Sequence, residues 1–165
     1  MILPIIFYPN KILRQKSASI RSQDILKKET QDFLANLKIT MLEKDGIGLA
    51  AIQVGQLRRV FVVATEDGPL AFINPKIIKR SWRKEINQEG CLSIPEVFGN
   101  VKRSKSVLIK ATDEKGKNFT IHAHGILARV IQHEYDHLRG TLFIDRTTEI
   151  IKGEDKLNEI REKNG

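Results

Sequence analysis

The chain has a single cysteine, Cys91, among its 165 residues. No intrachain disulfide can form, so the fold needs no oxidising compartment, and the lone thiol calls for its own explanation. No apolar run approaches the roughly 20 residues that cross a bilayer as a helix. The apolar start, MILPIIFYPN, has no basic leader and is interrupted by Pro4 and Pro9. It reads as part of the mature fold and not as a signal peptide, which points to a cytoplasmic protein. No internal repeat, low-complexity segment or linker divides the chain, so one domain is expected over residues 1–165. Acidic residues are in deficit, 20 against 28 basic, for a net charge of +8. A basic surface favours anionic partners. Yet the lysines and arginines are scattered among acids, and no RNP1-like aromatic motif is present. The expectation is a solvated basic surface without a specific nucleic-acid partner.

What remains is ordinary for a globular protein: 41% hydrophobic and 29% charged residues. A domain of this size buries roughly two-thirds of its unfolded surface. Residues 1–23 carry two prolines and several turn formers, and read as an extended arm wrapping the body. Asp24 is placed to cap a helix running to about Glu43, with Leu26, Phe33, Leu34, Leu37 and Met41 near one face. Arg59 to Ala64 reads as a strand. Leu70 to Asn74 reads as another, stopped by Pro75, and Lys76 to Ile86 is mixed. Ser106 to Thr112 and Asn118 to His122 form a hairpin around Asp113-Glu114-Lys115-Gly116. Residues 147–165 read as a charged tail or a short surface helix with a frayed end. The fold class is α+β: a mostly antiparallel sheet packed around a central helix, with an N-terminal helix before it.

That central helix carries His133-Glu134-Tyr135-Asp136-His137. Positions i and i+4 share a helix face, so both imidazoles can reach one metal ion. Glu134 is rotated by about 100° from His133. Its carboxylate lies beside the metal, where it can take a proton from water; this is the mechanical content of H-E-x-x-H. Leu127, Val130, Ile131 and Leu138 give the helix an apolar side. Arg139 and Gly140 mark its end.

Cys91 is the obvious third donor, with a buried structural cysteine as the alternative. Upstream, residues 46–55 hold three glycines, small residues and one amide, Gln53. No Gly-Lys-Ser/Thr follows, so a phosphate loop is disfavoured. The glycines serve better where backbone must approach a ligand, with Gln53 presented by that loop. Glu89 and Asp136 are candidates to hold the imidazoles' outer N–H groups. For Asp136 the alternative is a solvent-facing helix position, and Arg103 either pairs with Glu89 or sits on the surface. His122 and His124 share a strand face and read as surface or packing residues.

Three segments in order, Gly46-Ile47-Gly48-Leu49-Ala50-Ala51-Ile52-Gln53, Glu89-Gly90-Cys91-Leu92-Ser93 and His133-Glu134-Tyr135-Asp136-His137, resemble the signature motifs of the peptide deformylases. The resemblance extends through Leu13, Pro75, Arg103 and Gly140 and covers most of residues 1–146. It implies that Cys91, His133 and His137 bind one divalent metal, with water in the fourth place. It implies Fe²⁺ as the working metal, with Ni²⁺, Co²⁺ or Zn²⁺ as substitutes. It implies that Glu134 is the general base and acid, and that the Leu92 backbone N–H and the Gln53 amide hold the oxyanion. The implied substrate is the N-formyl group on the first methionine of a new polypeptide, released as formate.

Ile47, Ile126 and Val130 are candidates to line an apolar pocket for the methionine side chain. Gly48 and Gly90 leave room for backbone hydrogen bonds to an extended peptide. Asn87 departs from the apolar residue that family members often carry there. A monomer is expected, with transient ribosome contact as a further expectation and no membrane. The rival readings are a metallopeptidase of the H-E-x-x-H type and a basic ribosome- or RNA-binding module. No histidine follows His137 to complete a metzincin pattern.

Overall fold

A computed structural model describes residues 1–163. A one-turn helix, α1 (Ser22–Ile25), and a longer one, α2 (Lys28–Glu43), precede β1 (Gly48–Ala50), β2 (Val60–Thr65), β3 (Gly68–Arg80), β4 (Lys84–Cys91), β5 (Ile94–Ser104), β6 (Ser106–Thr112) and β7 (Asn118–His124). Then come α3 (Gly125–His137), β8 (Thr147–Lys152) and α4 (Glu154–Glu162). One sheet has the order β1-β2-β3-β6-β7 and a second the order β4-β5-β8. The ladders within both sheets are antiparallel, as the α+β expectation requires.

Strand β2 shows why the larger sheet is sandwiched. Successive side chains point to opposite faces, yet Val60, Phe61, Val62 and Val63 are all buried. Val60 and Val62 pack with Leu34, Leu37 and Met41 of α2. Phe61 and Val63 pack with Ala128, Val130 and Ile131 of α3. The run lacks polar alternation because both faces are covered. The arm wraps as expected, with Ile6 N–H bonded to Gln53 O (2.7 Å) and Tyr8 N–H to Ser93 O (2.8 Å). Leu13 is fully buried in a third cluster beneath the smaller sheet.

Three local expectations need correction. Asp24 does not cap α2; it lies inside α1 and takes Arg21 and Lys27 as ion-pair partners. The chain breaks at Leu26 and Lys27, so Leu26 falls outside the amphipathic register and is exposed. Pro75 does not stop its strand. Asn74 adopts φ of 50°, and a register shift between Ile73 and Lys76 absorbs the missing N–H. Asn74 ties this bulge to the arm, with Oδ1 accepting from Ile20 N–H and Nδ2 donating to Ile20 O. The tail also does more than form a helix. Its first residues add β8 to β5, and Leu157 of α4 is buried. The frayed end expected at the terminus lies outside the described residues.

Candidate active site

Helix α3 sits against β1, β2 and β7 of the larger sheet and β5 of the smaller one, and so joins the two. It ends where Gly140 takes φ of 72° and Thr141 N–H returns to Asp136 O at 3.1 Å. His133 and His137 project from successive turns, and both are buried. Their Nε2 atoms are 3.2 Å apart. Cys91, at the end of β4, brings Sγ to 3.3 Å from His137 Nε2. All three donor atoms lie within 4.8 Å of one another. Two nitrogens and one sulfur converging so closely fit one divalent ion of the zinc or iron kind and leave an open position.

The amide of Gln53 lies at the same point. Its Oε1 accepts from Ala50 N–H at 2.9 Å, which fixes the NH₂ end toward Cys91 Sγ (3.3 Å) and Ser93 Oγ (3.2 Å). Leu92 and Ser93 form the turn from β4 to β5. Glu134 is 3% exposed, and its Oε2 has no hydrogen-bond partner. Burial raises its carboxyl to about 7, a rise that the neighbouring His133 tempers. An unpartnered buried carboxyl beside convergent donors is the arrangement expected of a proton carrier.

A cavity of about 880 Å³ opens onto Cys91, His133, Glu134 and Gln53. Val130 is buried in its wall, while Ile47 and Ile126 are exposed at its mouth. Gly48 lets β1 approach α3, since a Cβ there would collide with the Glu134 carboxylate and Val130. The space a side chain at Gly90 would need is taken by the Phe98 ring. Both glycines line the cavity, but their missing side chains make way for neighbours as well as for a ligand.

Behind the histidines lies a buried charge network. His133 Nδ1 meets Glu89 Oε2 at 2.9 Å, which directs Nε2 toward the donor cluster. Arg103 grips Glu89 with two hydrogen bonds of 2.9 Å, and Arg129 adds one of 2.8 Å. Burial alone would push the Glu89 carboxyl up, but Arg103 and then His133 hold it well below its usual range. Arg103 also pairs with Asp136, which Arg146 clamps through both carboxylate oxygens. Asp136 is therefore neither solvent-facing nor a partner of an imidazole; it holds the arginine that holds Glu89. His137 Nδ1 has no hydrogen-bond partner, and burial lowers its pKa well below the usual value, which favours the neutral ring. His122 and His124 lie exposed on β7.

Sequence reasoning missed Arg129 and Gln132. Arg129 is 8% exposed and also bonds Val101 O and Glu85 O, tying α3 to β4 and β5. Gln132 bonds both backbone groups of Ser104. The available signal was a cation one turn before His133 within an apolar stretch.

Two imidazoles of an H-E-x-x-H helix and one cysteine thiol converge between two antiparallel sheets, an arrangement able to hold a single metal ion, as in mononuclear metal hydrolases. A family model for polypeptide deformylases matches residues 2–152. A peptide deformylase of Clostridium botulinum is 46% identical over 141 residues, 86% of this chain and 93% of its own. The crystal structure of peptide deformylase from Thermotoga maritima superposes with a TM-score of 0.85 at 36% identity, over 90% of this chain and 99% of that one. A class I type b peptide deformylase from Acinetobacter baumannii with Met-Ala-Ser bound gives a TM-score of 0.85 at 31% identity, over 88% and 98%. The chain belongs to the polypeptide deformylase family and removes the N-formyl group from new polypeptides. No helix among the described residues is long and apolar enough to cross a membrane.

Proposed function

We propose that Cys91, His133 and His137 hold the catalytic metal and that Glu134 moves the proton in deformylation. The observation that carries this is the convergence of the three donor atoms beside a buried carboxyl with a free oxygen. A divalent ion held there supplies Lewis-acid polarisation and can lower the pKa of water to about 7. Glu134 accepts the water proton at its unpartnered oxygen and delivers it to the leaving amine nitrogen. The Gln53 NH₂ group and the Leu92 backbone N–H donate to the formyl oxygen as it gains charge. Val130, with Ile47 and Ile126, takes the methionine side chain, and Gly48 and Gly90 border the peptide backbone. The Met-Ala-Ser bound to the Acinetobacter relative begins with the residue this pocket would receive. Residues 1–165 act as one catalytic domain, monomeric and cytoplasmic, with transient ribosome contact. Incubation of the metal-loaded protein with formyl-Met and acetyl-Met peptides tests the reading. Formate from the first alone is expected; equal turnover of both, or of neither, contradicts it.

Gln53→Glu keeps the oxygen that Ala50 N–H needs, but turns a donor into a charge beside Cys91. A loss of about 100-fold or more in kcat, with a smaller change in KM, is expected from steady-state kinetics. A defect confined to KM would show that Gln53 only positions substrate.

The metal-free protein should report the state of Glu134. Its folded carboxyl titrates near 7, above the ordinary 4.5. The sign follows: its contribution to stability is full below 4.5 and is lost as pH rises through 7, because ionisation is disfavoured by burial. Metal-free Glu134→Gln should therefore gain stability relative to the parent by ~2 kcal/mol between pH 5 and 8. Parallel stability–pH curves in denaturant would contradict this.

We further propose Fe²⁺ as the working ion. Intrinsic affinity runs from iron up to nickel and copper, so cellular supply and not affinity selects iron. Ferrous protein should lose activity in air as the Cys91 thiolate is oxidised, while the nickel form should not. The checks are activity with time and the mass of the peptide containing Cys91. Equal air stability of the two forms would defeat the iron argument and leave the deformylase assignment standing.

A further inference from the structure

Arg83 and Lys84 lie some twenty residues before Lys102 and Lys105 in sequence, but the four meet at one corner of the smaller sheet. The β4–β5 ladder pairs Lys84 with Ser104 and Ile86 with Lys102. Lys105 N–H bonds Arg83 O at 3.0 Å, and Ser81 Oγ is held between Arg83 O and Ser106 N–H. The connection from β3 to β4 is thus pinned in place. These four cations and Trp82 line an open depression of about 690 Å³. None of the four has an ion-pair partner among the described residues. Glu85, the acid next in sequence, lines the active-site cavity instead.

Trp82 is the only tryptophan in the chain and is 83% exposed. The Arg83 guanidinium sits 5.4 Å from the centre of its ring. This contact steadies the indole while most of its surface stays open. The corner therefore offers an open aromatic face together with four cations that have no ion-pair partner among the described residues. A partner must bring distributed negative charge and flat apolar faces together. A nucleic-acid strand does so, with phosphates for the cations and a base for the indole. A membrane would ask for a broader apolar rim, and an acidic peptide would leave the indole without a stacking partner.

We propose that this corner is a docking surface for single-stranded RNA, read by backbone charge and base stacking and not by sequence. Strand β4 leads from it to Cys91 in seven residue steps, about 23 Å of extended chain. RNA held there would lie beside the active-site cavity without entering it. A new polypeptide is produced on an RNA-rich particle, so such a contact would keep the cavity near its substrate.

The test uses the metal-loaded full chain and a short unstructured RNA of about twelve nucleotides. Because Trp82 is the sole tryptophan, its fluorescence reports stacking directly. Quenching on titration is expected, with log K falling against log salt at a slope of about −3 for four phosphate contacts. Anisotropy of an end-labelled RNA reads the variants: Trp82→Ala should weaken binding about tenfold, with Trp82→Phe recovering much of it. Lys102→Ala with Lys105→Ala should flatten the slope by about 1.4. All variants should still deformylate a free formyl-Met tripeptide at the parent rate, which also certifies their folding. Binding that ignores both sets of substitutions would overturn the proposal in favour of diffuse charge. Equal or tighter binding to anionic phospholipid vesicles, or to polyglutamate, would overturn it in favour of a membrane or an acidic protein. Absence of RNA binding at low salt would overturn it outright.

Discussion

Replacing Glu134 with alanine is expected to leave about one equivalent of divalent metal bound and to lower kcat by about 100- to 10,000-fold. The carboxylate lines the same cavity as Cys91 and His133, and the three convergent donor atoms come from Cys91, His133 and His137. Its free Oε2 marks it as a group waiting for a proton, not one committed to a structural bond. Removing a buried charge with no hydrogen-bond partner should not unfold the protein. Without metal, the variant should be at least as stable as the metal-free parent near neutral pH, where burial opposes ionisation of Glu134. Metal analysis beside steady-state kinetics makes the check. Metal content falling in step with activity would make Glu134 a ligand and overturn its role as proton carrier.

The second large effect is expected at Arg103. This residue is 5% exposed and joins Glu89 to Asp136. Truncation to alanine removes the cation shared by two buried carboxylates. Breaking a buried pair in this way costs about 3–5 kcal/mol, a large part of a domain's stability of about 5–15 kcal/mol. Glu89 would also lose the grip that aims it at His133, so metal affinity should drop by about 10- to 100-fold. Denaturant melts and a metal titration read the two effects. The pH dependence adds a sign. The Glu89 carboxyl is held below its ordinary 4.5, so its contribution to stability is present above that value and lost in acid. The gap between parent and Arg103→Ala should therefore narrow progressively as pH falls below 4.5. A gap that is constant with pH would mean that Arg103 acts by packing alone.

The candidate metal donors were legible in part: the two imidazoles through local helical spacing, and Cys91, left open by its own chemistry, only through the family resemblance. His133 and His137 are one turn apart, and Cys91 is the single thiol. The hairpin of β6 and β7 was legible, since its turn and alternation are contiguous. The charge network was legible only as open alternatives. Arg103 reaches Glu89 because β4 and β5 pair, and Asp136 reaches Arg146 because the chain doubles back after Gly140. Neither closure has a periodic signature. Leu26 was misplaced because a two-residue break between α1 and α2 shifts the helical register. Pro75 misled because a bulge accommodates it. The basic corner was invisible for the same reason as the network. Lys84 and Lys102 look scattered in sequence and become neighbours only through strand pairing.

The site rests on one thiolate and two imidazoles sharing a single ion, and X-ray absorption on the zinc-loaded protein tests this most directly. One sulfur at about 2.3 Å and two imidazole nitrogens at about 2.0–2.1 Å are predicted, with the sulfur shell lost in Cys91→Ala. A first shell of nitrogen and oxygen alone in the parent protein would contradict the assignment of Cys91 and, with it, the centre described for this fold.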